Sequence, residues 1–228
     1  MTAPLAPRVD YPGEGLDESD LAATPFAQAS RWIEDAVARS AHGPGVPEPT
    51  ALSVATVDAD GLPDVRVVLM RFFDPSGPGF VTHLDSAKAR QLRDNPGVAA
   101  ALTWPSLYRA IRFRGHARLL PTDAVAAYFT SRPWGSRISA WASEQSAPIA
   151  GRAPLEERYA ELAARYPDTG SPQDVPVPPR WGGLVIVPDE VEFWAGRSNR
   201  LHDRLVFTRV APGTLDDAAA WSVGRRQP

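Results

Sequence analysis

Residues 51–84 read ALSVATVDADGLPDVRVVLMRFFDPSGPGFVTHL, and the placement of turn formers in this stretch decides the fold class. The extended runs ALSVATVD, VRVVLMRFF and GFVTHL are rich in β-branched and aromatic residues, and DADG and DPSGPG interrupt them. Linkers this short join antiparallel neighbours, because a parallel crossover needs a dozen or more residues.

Upstream, residues 1–24 are rich in Pro, Gly and Asp without periodicity, which predicts a mobile N-terminal arm. From Pro25, the residues Phe26, Ala29, Trp32, Ile33, Ala36 and Val37 recur at helical spacing and HGPG at 42–45 stops them, predicting an amphipathic helix. Downstream, Ser86 opens a short helix that Pro96 ends, and two further extended runs cover 98–104 and 108–120. In the second run Ile111, Phe113, Ala117 and Leu119 alternate with Arg112, Arg114, His116 and Arg118, giving one buried and one cationic face. The cationic face reads first as a solvated exterior. Helices are expected over 122–131, 136–143 and 155–166, then a Pro-rich loop, then the strands GGLVIV, EVEFWAG, HDRLVFTRV and AAAWSVG. The expected fold is β-rich α+β: an antiparallel split or nearly closed β-barrel of six or more strands over 25–228, with helices packed outside.

Composition removes several function classes. The chain has 228 residues, enough for one core, and no cysteine, so disulfides and thiolate metal sites are excluded. A net charge of -3 disfavours a general nucleic-acid surface, and no run is apolar enough to span a membrane. The N-terminal stretch has no signal-peptide core, so a cytoplasmic protein is expected. No G-x-G-x-x-G, P-loop or G-x-S-x-G motif occurs, and the four histidines lack metal-ligand spacing, so no metal is expected.

Three clusters carry possible chemistry. In RLHDR, 200–204, an extended backbone would project Arg200, His202 and Arg204 from one face beside Trp194, suited to solvent, an anion or an electron-rich ring. In YFTSRPWGSR, Tyr128, Arg132 and Ser136 are four apart across a helix-to-loop junction made by Pro133 and Gly135; they form either a phosphate cradle or an ordinary helix end. Arg66 and Arg71, with Thr82, Ser86 and Lys88 at a helix start, describe a site for a phosphate dianion such as that of FMN. Arg66 and Arg71, five apart, would face opposite sides of an ideal strand. Lys88 is the only lysine among 24 cationic side chains, an imbalance that base composition alone could produce.

With these clusters in this order, the chain resembles the pyridoxamine/pyridoxine 5'-phosphate oxidase family over residues 8–228. The likeness rests on RVVLM after ATVDADGLP, YFTSRPWGSRISAWASEQS, WGG at 181, and EFWAGRSNRLHDR. It implies a homodimeric split barrel with FMN between subunits, oxidising pyridoxine or pyridoxamine 5'-phosphate with dioxygen. By the same resemblance Arg66, Thr82 and Lys88 would hold the FMN phosphate region, and Gln145, Ser146, Trp194 and Arg204 would line the rest of the flavin. Arg71, Tyr128, Arg132 and Ser136 would bind the substrate phosphate. Arg200 and His202 would act at the pyridine ring, and Arg8 and Tyr11 would close over it as a lid.

The sequence departs from the family pattern at four of these places. Arg71 stands for lysine, which keeps the charge but changes reach and geometry, while Val81 for tyrosine, Ala87 for arginine and Ala110 for glutamine remove polar contacts to flavin. These departures leave open a phenazine-type oxidase, which shares a run like Thr82 to Lys88. A non-catalytic flavin- or haem-binding split barrel and a deazaflavin-dependent reductase also stay open.

Overall fold

The computed structural model describes residues 10–41 and 45–228. The expected first helix is α1 (Pro25–Ala41), and the quoted stretch forms β1 (Ala51–Val57), β2 (Pro63–Leu69), β3 (Phe72–Asp74) and β4 (Gly77–His83). There follow α2 (Ala87–Asp94), β5 (Gly97–Trp104), β6 (Arg109–Leu119), α3 (Thr122–Ser131), α4 (Trp134–Ala142), α5 (Arg152–Arg165), β7 (Trp181–Ala195), β8 (Asp203–Arg209) and β9 (Trp221–Arg225). All nine strands pair antiparallel in one curled sheet, in the order β2-β1-β5-β6-β7-β4-β3, with β8 on β7 and β9 on β8. The architecture is the β-rich α+β split barrel that the turn spacing predicts.

The 15-residue β7 organises the sheet. One edge pairs with β6 along nearly its whole length; the other pairs with β4 through residues 181–185 and with β8 through 190–195. GGLVIV and EVEFWAG, expected as two strands, are therefore one. Pro188 and Asp189 sit between them at a register shift against Gly115, on the length of β7 that neither β4 nor β8 pairs. A proline without an N–H is tolerated at such a bulge.

The converse correction applies to VRVVLMRFF, expected as one strand. The chain leaves β1's edge after Leu69 and joins β4 at Phe72. Met70 turns inward, and its N–H bonds Thr50 O at 2.9 Å while the Arg71 N–H bonds Gly79 O at 2.8 Å. Every N–H in the break stays satisfied, so the interruption costs little.

The main core lies inside the curl, where Leu52, Phe80, Leu102, Phe113, Ile186, Phe193 and Phe207 are all buried. Each such side chain contributes about 1.5–3 kcal/mol of burial free energy. Trp32 of α1 meets Phe193 edge-on at 5.5 Å, closing one end. A smaller cluster around Phe129, Ile138 and Val175 holds α3 and α4 together. Leu119, expected inside, is 67% exposed because β6 runs past the core there. The opposite face of β6 is not bare: Arg112 pairs Glu190 and Glu192, and His116 pairs Asp189.

Gly115 is fixed by the bulge. A Cβ there would lie 2.1 Å from Val187 O and 2.7 Å from Pro188 Cα, both backbone atoms that cannot yield locally. Gly115→Ala is expected to lower stability by about 3 kcal/mol, read as a fall in the urea midpoint with unchanged slope; an unchanged midpoint would show that the bulge can relax.

Candidate functional site

A cavity of about 660 Å³ opens where the break after β2, the end of β4, the start of α2 and the α3–α4 junction meet. Its lining includes Arg66, Arg71, Lys88 and Arg132, against Asp64 as the one carboxylate. The strand break explains why Arg66 and Arg71 share a cavity although an ideal strand would oppose them.

Arg66 is held rigidly. Its guanidinium donates to Thr56 Oγ1 at 2.6 Å, Val54 O at 3.2 Å and Gln91 Oε1 at 3.1 Å, and it pairs with Asp64. Lys88, on the first turn of α2, donates to Gln145 Oε1 at 2.8 Å and Thr82 Oγ1 at 3.3 Å, with Ser86 Oγ at 3.5 Å. No carboxylate pairs with it among the described residues, and burial, with Arg66 adding like-charge repulsion, lowers its pKa to about 8. The Ser86 side chain makes no cap bond, so the first N–H groups of α2 stay directed at the same corner.

The second pair of cations lies at the helix junction. α3 ends at Ser131, Pro133 prevents its continuation, and Arg132 is turned over the Trp181 ring with its Cζ 4.6 Å from the centroid. Burial and the nearby Arg71 depress Arg132, while Tyr128 works the other way. His83 stands between the two pairs, edge-on to Trp181 at 5.5 Å. Burial, then Arg180 and Lys88, lowers its pKa, so the imidazole is neutral at pH 7.

This donor set fits a ligand with anionic, acceptor-rich groups. Five buried side-chain nitrogens lack a protein partner among the described residues, and three of them belong to the cavity residues His83, Arg132 and Trp181. Ser146, beside Gln145 at the rim, holds a left-handed backbone with φ 75°, a conformation that costs energy without glycine. An FMN phosphate beside Arg66 and Lys88 would supply the counter-charge that Lys88, bonded only to neutral acceptors, lacks among the described residues.

The cavity thus brings together Arg66, Arg71, Lys88, Tyr128, Arg132, Gln145 and Ser146, with Thr82 just behind through its bond to Gln145. Ser136 lies on the first turn of α4 outside the lining, where Ser139 and Ser143 take part instead. Sequence reasoning missed Asp64 and Gln91; Asp64 could have been found, since it shares a strand face with Arg66 two residues on.

The remaining predicted residues form a second cluster. Trp194 stands at the far end of β7 from Trp181, about 40 Å along the strand contour. Its ring lies 4.8 Å from His202, and Tyr11 stacks on Tyr108 at 5.1 Å and meets His202 at 5.6 Å. The RLHDR segment is strand only from Asp203, where β8 begins: Ser198–Arg200 is a tight turn, with Asn199 and Arg200 left-handed at φ 58° and 64°. Arg200, His202 and Arg204 therefore do not share one face. Arg200 is exposed, His202 accepts the Arg197 N–H at Nδ1 (3.0 Å), leaving Nε2 outward, and Arg204 pairs with buried Glu192 at 2.9 Å. Arg8 lies outside the described residues.

Residues 39–195 match the family model described as pyridoxamine 5'-phosphate oxidase, and residues 181–228 match the pyridoxine 5'-phosphate oxidase C-terminal dimerisation region. A pyridoxine/pyridoxamine 5'-phosphate oxidase from Kineococcus radiotolerans is 48% identical, with both chains covered completely. Among solved structures, PhzG from Burkholderia lata, in complex with tetrahydrophenazine-1-carboxylic acid, is 30% identical with a TM-score of 0.81, covering 95% of this chain and 99% of its own. A pyridoxamine 5'-phosphate oxidase-related, FMN binding protein from Nostoc punctiforme shares the fold at 20% identity and a TM-score of 0.63, over 86% and 95% of the two chains.

The state of Lys88 gives a pH-dependent prediction. Its folded pKa of about 8 lies below the ordinary 10.5, so the buried ammonium destabilises the ligand-free fold below pH 8, and that cost is lifted as pH rises from 8 to 10.5. Lys88→Met should raise the ligand-free melting temperature at pH 7, with the gain fading over that window. A gain independent of pH would mean that the charge is not the cause.

Proposed function

Since this chain belongs to the pyridoxamine 5'-phosphate oxidase family, we propose that it is an FMN-dependent oxidase converting pyridoxine or pyridoxamine 5'-phosphate to pyridoxal 5'-phosphate, with O2 reduced to H2O2. It is an oxidoreductase of that family's type. The observation that carries the reading is one cavity with two cation pairs, Arg66 with Lys88 and Arg71 with Arg132. Two stations suit two phosphorylated ligands, the cofactor and the substrate.

In this reading Arg66, Thr82, Lys88, Gln145 and Ser146 anchor the cofactor, and Arg71, Tyr128 and Arg132, with Ser136 behind them on α4, take the substrate phosphate. Bound FMN would supply the redox chemistry there, uptake of a hydride equivalent from the substrate's C4' carbon and transfer of two electrons to dioxygen. The protein fixes the reacting carbon by its phosphate and keeps water from it. With an amine substrate, hydrolysis of the resulting imine releases ammonia.

Tyr11, Trp194, Arg200, His202 and Arg204 complete the site from a second copy in a homodimer. The length of β7 between the two clusters and the match of 181–228 to a dimerisation region support this arrangement. The exposed Val65 and Val67 on edge strand β2 supply apolar surface for such contact. Arg200 and the outward Nε2–H of His202 then face the pyridine ring and steady charge at the reacting carbon, with Tyr11 as the lid. No helix among the described residues is long and apolar enough to cross a membrane, and a cysteine-free chain suits the cytoplasm.

The likeness to PhzG, with Val81 and Ala87 lining the cavity where polar side chains were expected, favours a second reading: oxidation of a carboxylated, phenazine-type substrate. One experiment separates the two. The FMN-loaded protein is mixed anaerobically with pyridoxine 5'-phosphate and the flavin absorbance followed. Bleaching that air reverses, with aldehyde formed, is expected; tight FMN without bleaching would turn the assignment to the phenazine-type substrate. Arg132→Met should raise KM for the phosphorylated vitamer by about tenfold or more, the loss of one charge-assisted contact, while leaving FMN affinity unchanged. Equal losses for both would place Arg132 at the cofactor instead.

A further inference from the structure

The turn that carries Arg200 is closed from within by two bonds, Arg197 N–H to His202 Nδ1 at 3.0 Å and Leu201 N–H to Ser198 O at 3.3 Å, and neither of them holds the Asn199 amide. Two consecutive non-glycine residues, Asn199 and Arg200, are left-handed, a state that persists only when surroundings impose it. The contacts from outside the turn come from the N-terminal arm: Asp10 Oδ1 accepts the Asn199 N–H at 3.1 Å, Tyr11 O accepts the Ser198 hydroxyl at 3.4 Å, and the Tyr11 ring lies against His202.

The arm needs an anchor of its own, since residues 10–17 form neither helix nor strand. That anchor is Asp203, next to His202 and only 4% exposed. Its Oδ2 accepts the Leu16 N–H at 2.9 Å and lies 3.5 Å from the Arg197 guanidinium; its Oδ1 pairs with Arg225 of β9. Arg225 also grips Glu18 at 2.8 and 2.7 Å and Leu16 O at 3.3 Å. The arm approaches so closely that a Cβ at Gly15, where φ is 81°, would stand 2.4 Å from Asp203 Oδ2. One buried carboxylate thus ties together the arm, the base of the Arg197 to His202 turn and the C-terminal strand.

We propose that Asp203 and Arg225 are positioning residues: they clamp the arm across the turn, and through the arm they set the geometry of Arg200 and His202. The kinetic part rests on the oxidase reading above; the coupling of arm to turn does not. A purely structural ion pair would, on removal, loosen its own surroundings or the whole fold and leave the turn's amides linked to neither.

The test compares FMN-loaded wild type with Asp203→Asn, Arg225→Met, Arg225→Lys and Gly15→Ala, the last pushing the arm away from Asp203 while keeping both clamp side chains chemically intact. Amide hydrogen exchange is expected to rise about tenfold or more in residues 10–18 and 197–202 together in D203N, R225M and G15A, with β4 and β6 unchanged and R225K close to wild type. With pyridoxine 5'-phosphate, kcat should fall about tenfold in the same three variants, with FMN affinity held. If the arm exchanges faster while 197–202 stays protected, or R225M behaves as wild type, the clamp is overturned. If a variant exchanges faster in β4 and β6 as well, G15A alone decides by the same criteria. A wild type inactive on the vitamer sinks the oxidase reading, yet the exchange comparison still decides the clamp.

Discussion

Backbone pairing along β7 is the constraint on which the rest of the molecule depends. A single strand serves β6 on one edge and divides its other edge between β4 and β8, so the sheet splits in two from a common spine. The split works because β7 passes a bulge at Pro188 and Asp189 where its free edge changes partner. Both candidate clusters hang from the ends of this strand: Trp181 beside His83 and Arg132 at one, Trp194 beside His202 at the other. Their separation follows from strand geometry.

Electrostatics divides the arginines into two kinds. Arg112, Arg204 and Arg226 converge on Glu190 and Glu192, and Arg225 on Glu18 and Asp203, so these charges are spent on structure. Hydrogen bonds from Arg112 and Arg204 outweigh burial and hold Glu192 below the usual carboxylate range. In the cavity the balance is reversed: no carboxylate among the described residues pairs with Lys88, and burial pushes it down further than the nearby Asp64 lifts it.

Much of the cavity was legible because its signals are local. A cation on the first turn of a helix, as with Lys88, and a proline after a helical arginine, as with Arg132, have a physical meaning within a few residues. His83 was not legible as a wall residue, since its role comes from facing Trp181 across a strand pair almost a hundred positions away. The expected alignment of Arg200, His202 and Arg204 failed for a related reason: an extended backbone was the simplest local state, whereas the chain forms a left-handed turn closed by the Arg197 N–H on His202 Nδ1 and contacted by Asp10 and Tyr11 from far along the sequence.

The sequence by itself determined the strands, the antiparallel connections, the helices and the residue types able to hold phosphate, because periodicity, turn formers and caps act over a few residues. Tertiary structure alone decided three things: that VRVVLMRFF breaks at Met70 so that Arg66 and Arg71 share a cavity, that two runs fuse into β7, and that Leu16 and Asp203 meet across 187 positions. Each depends on which edge or partner is available in space, and hydrogen bonds satisfied at long range leave no period in the chain for a reader to find.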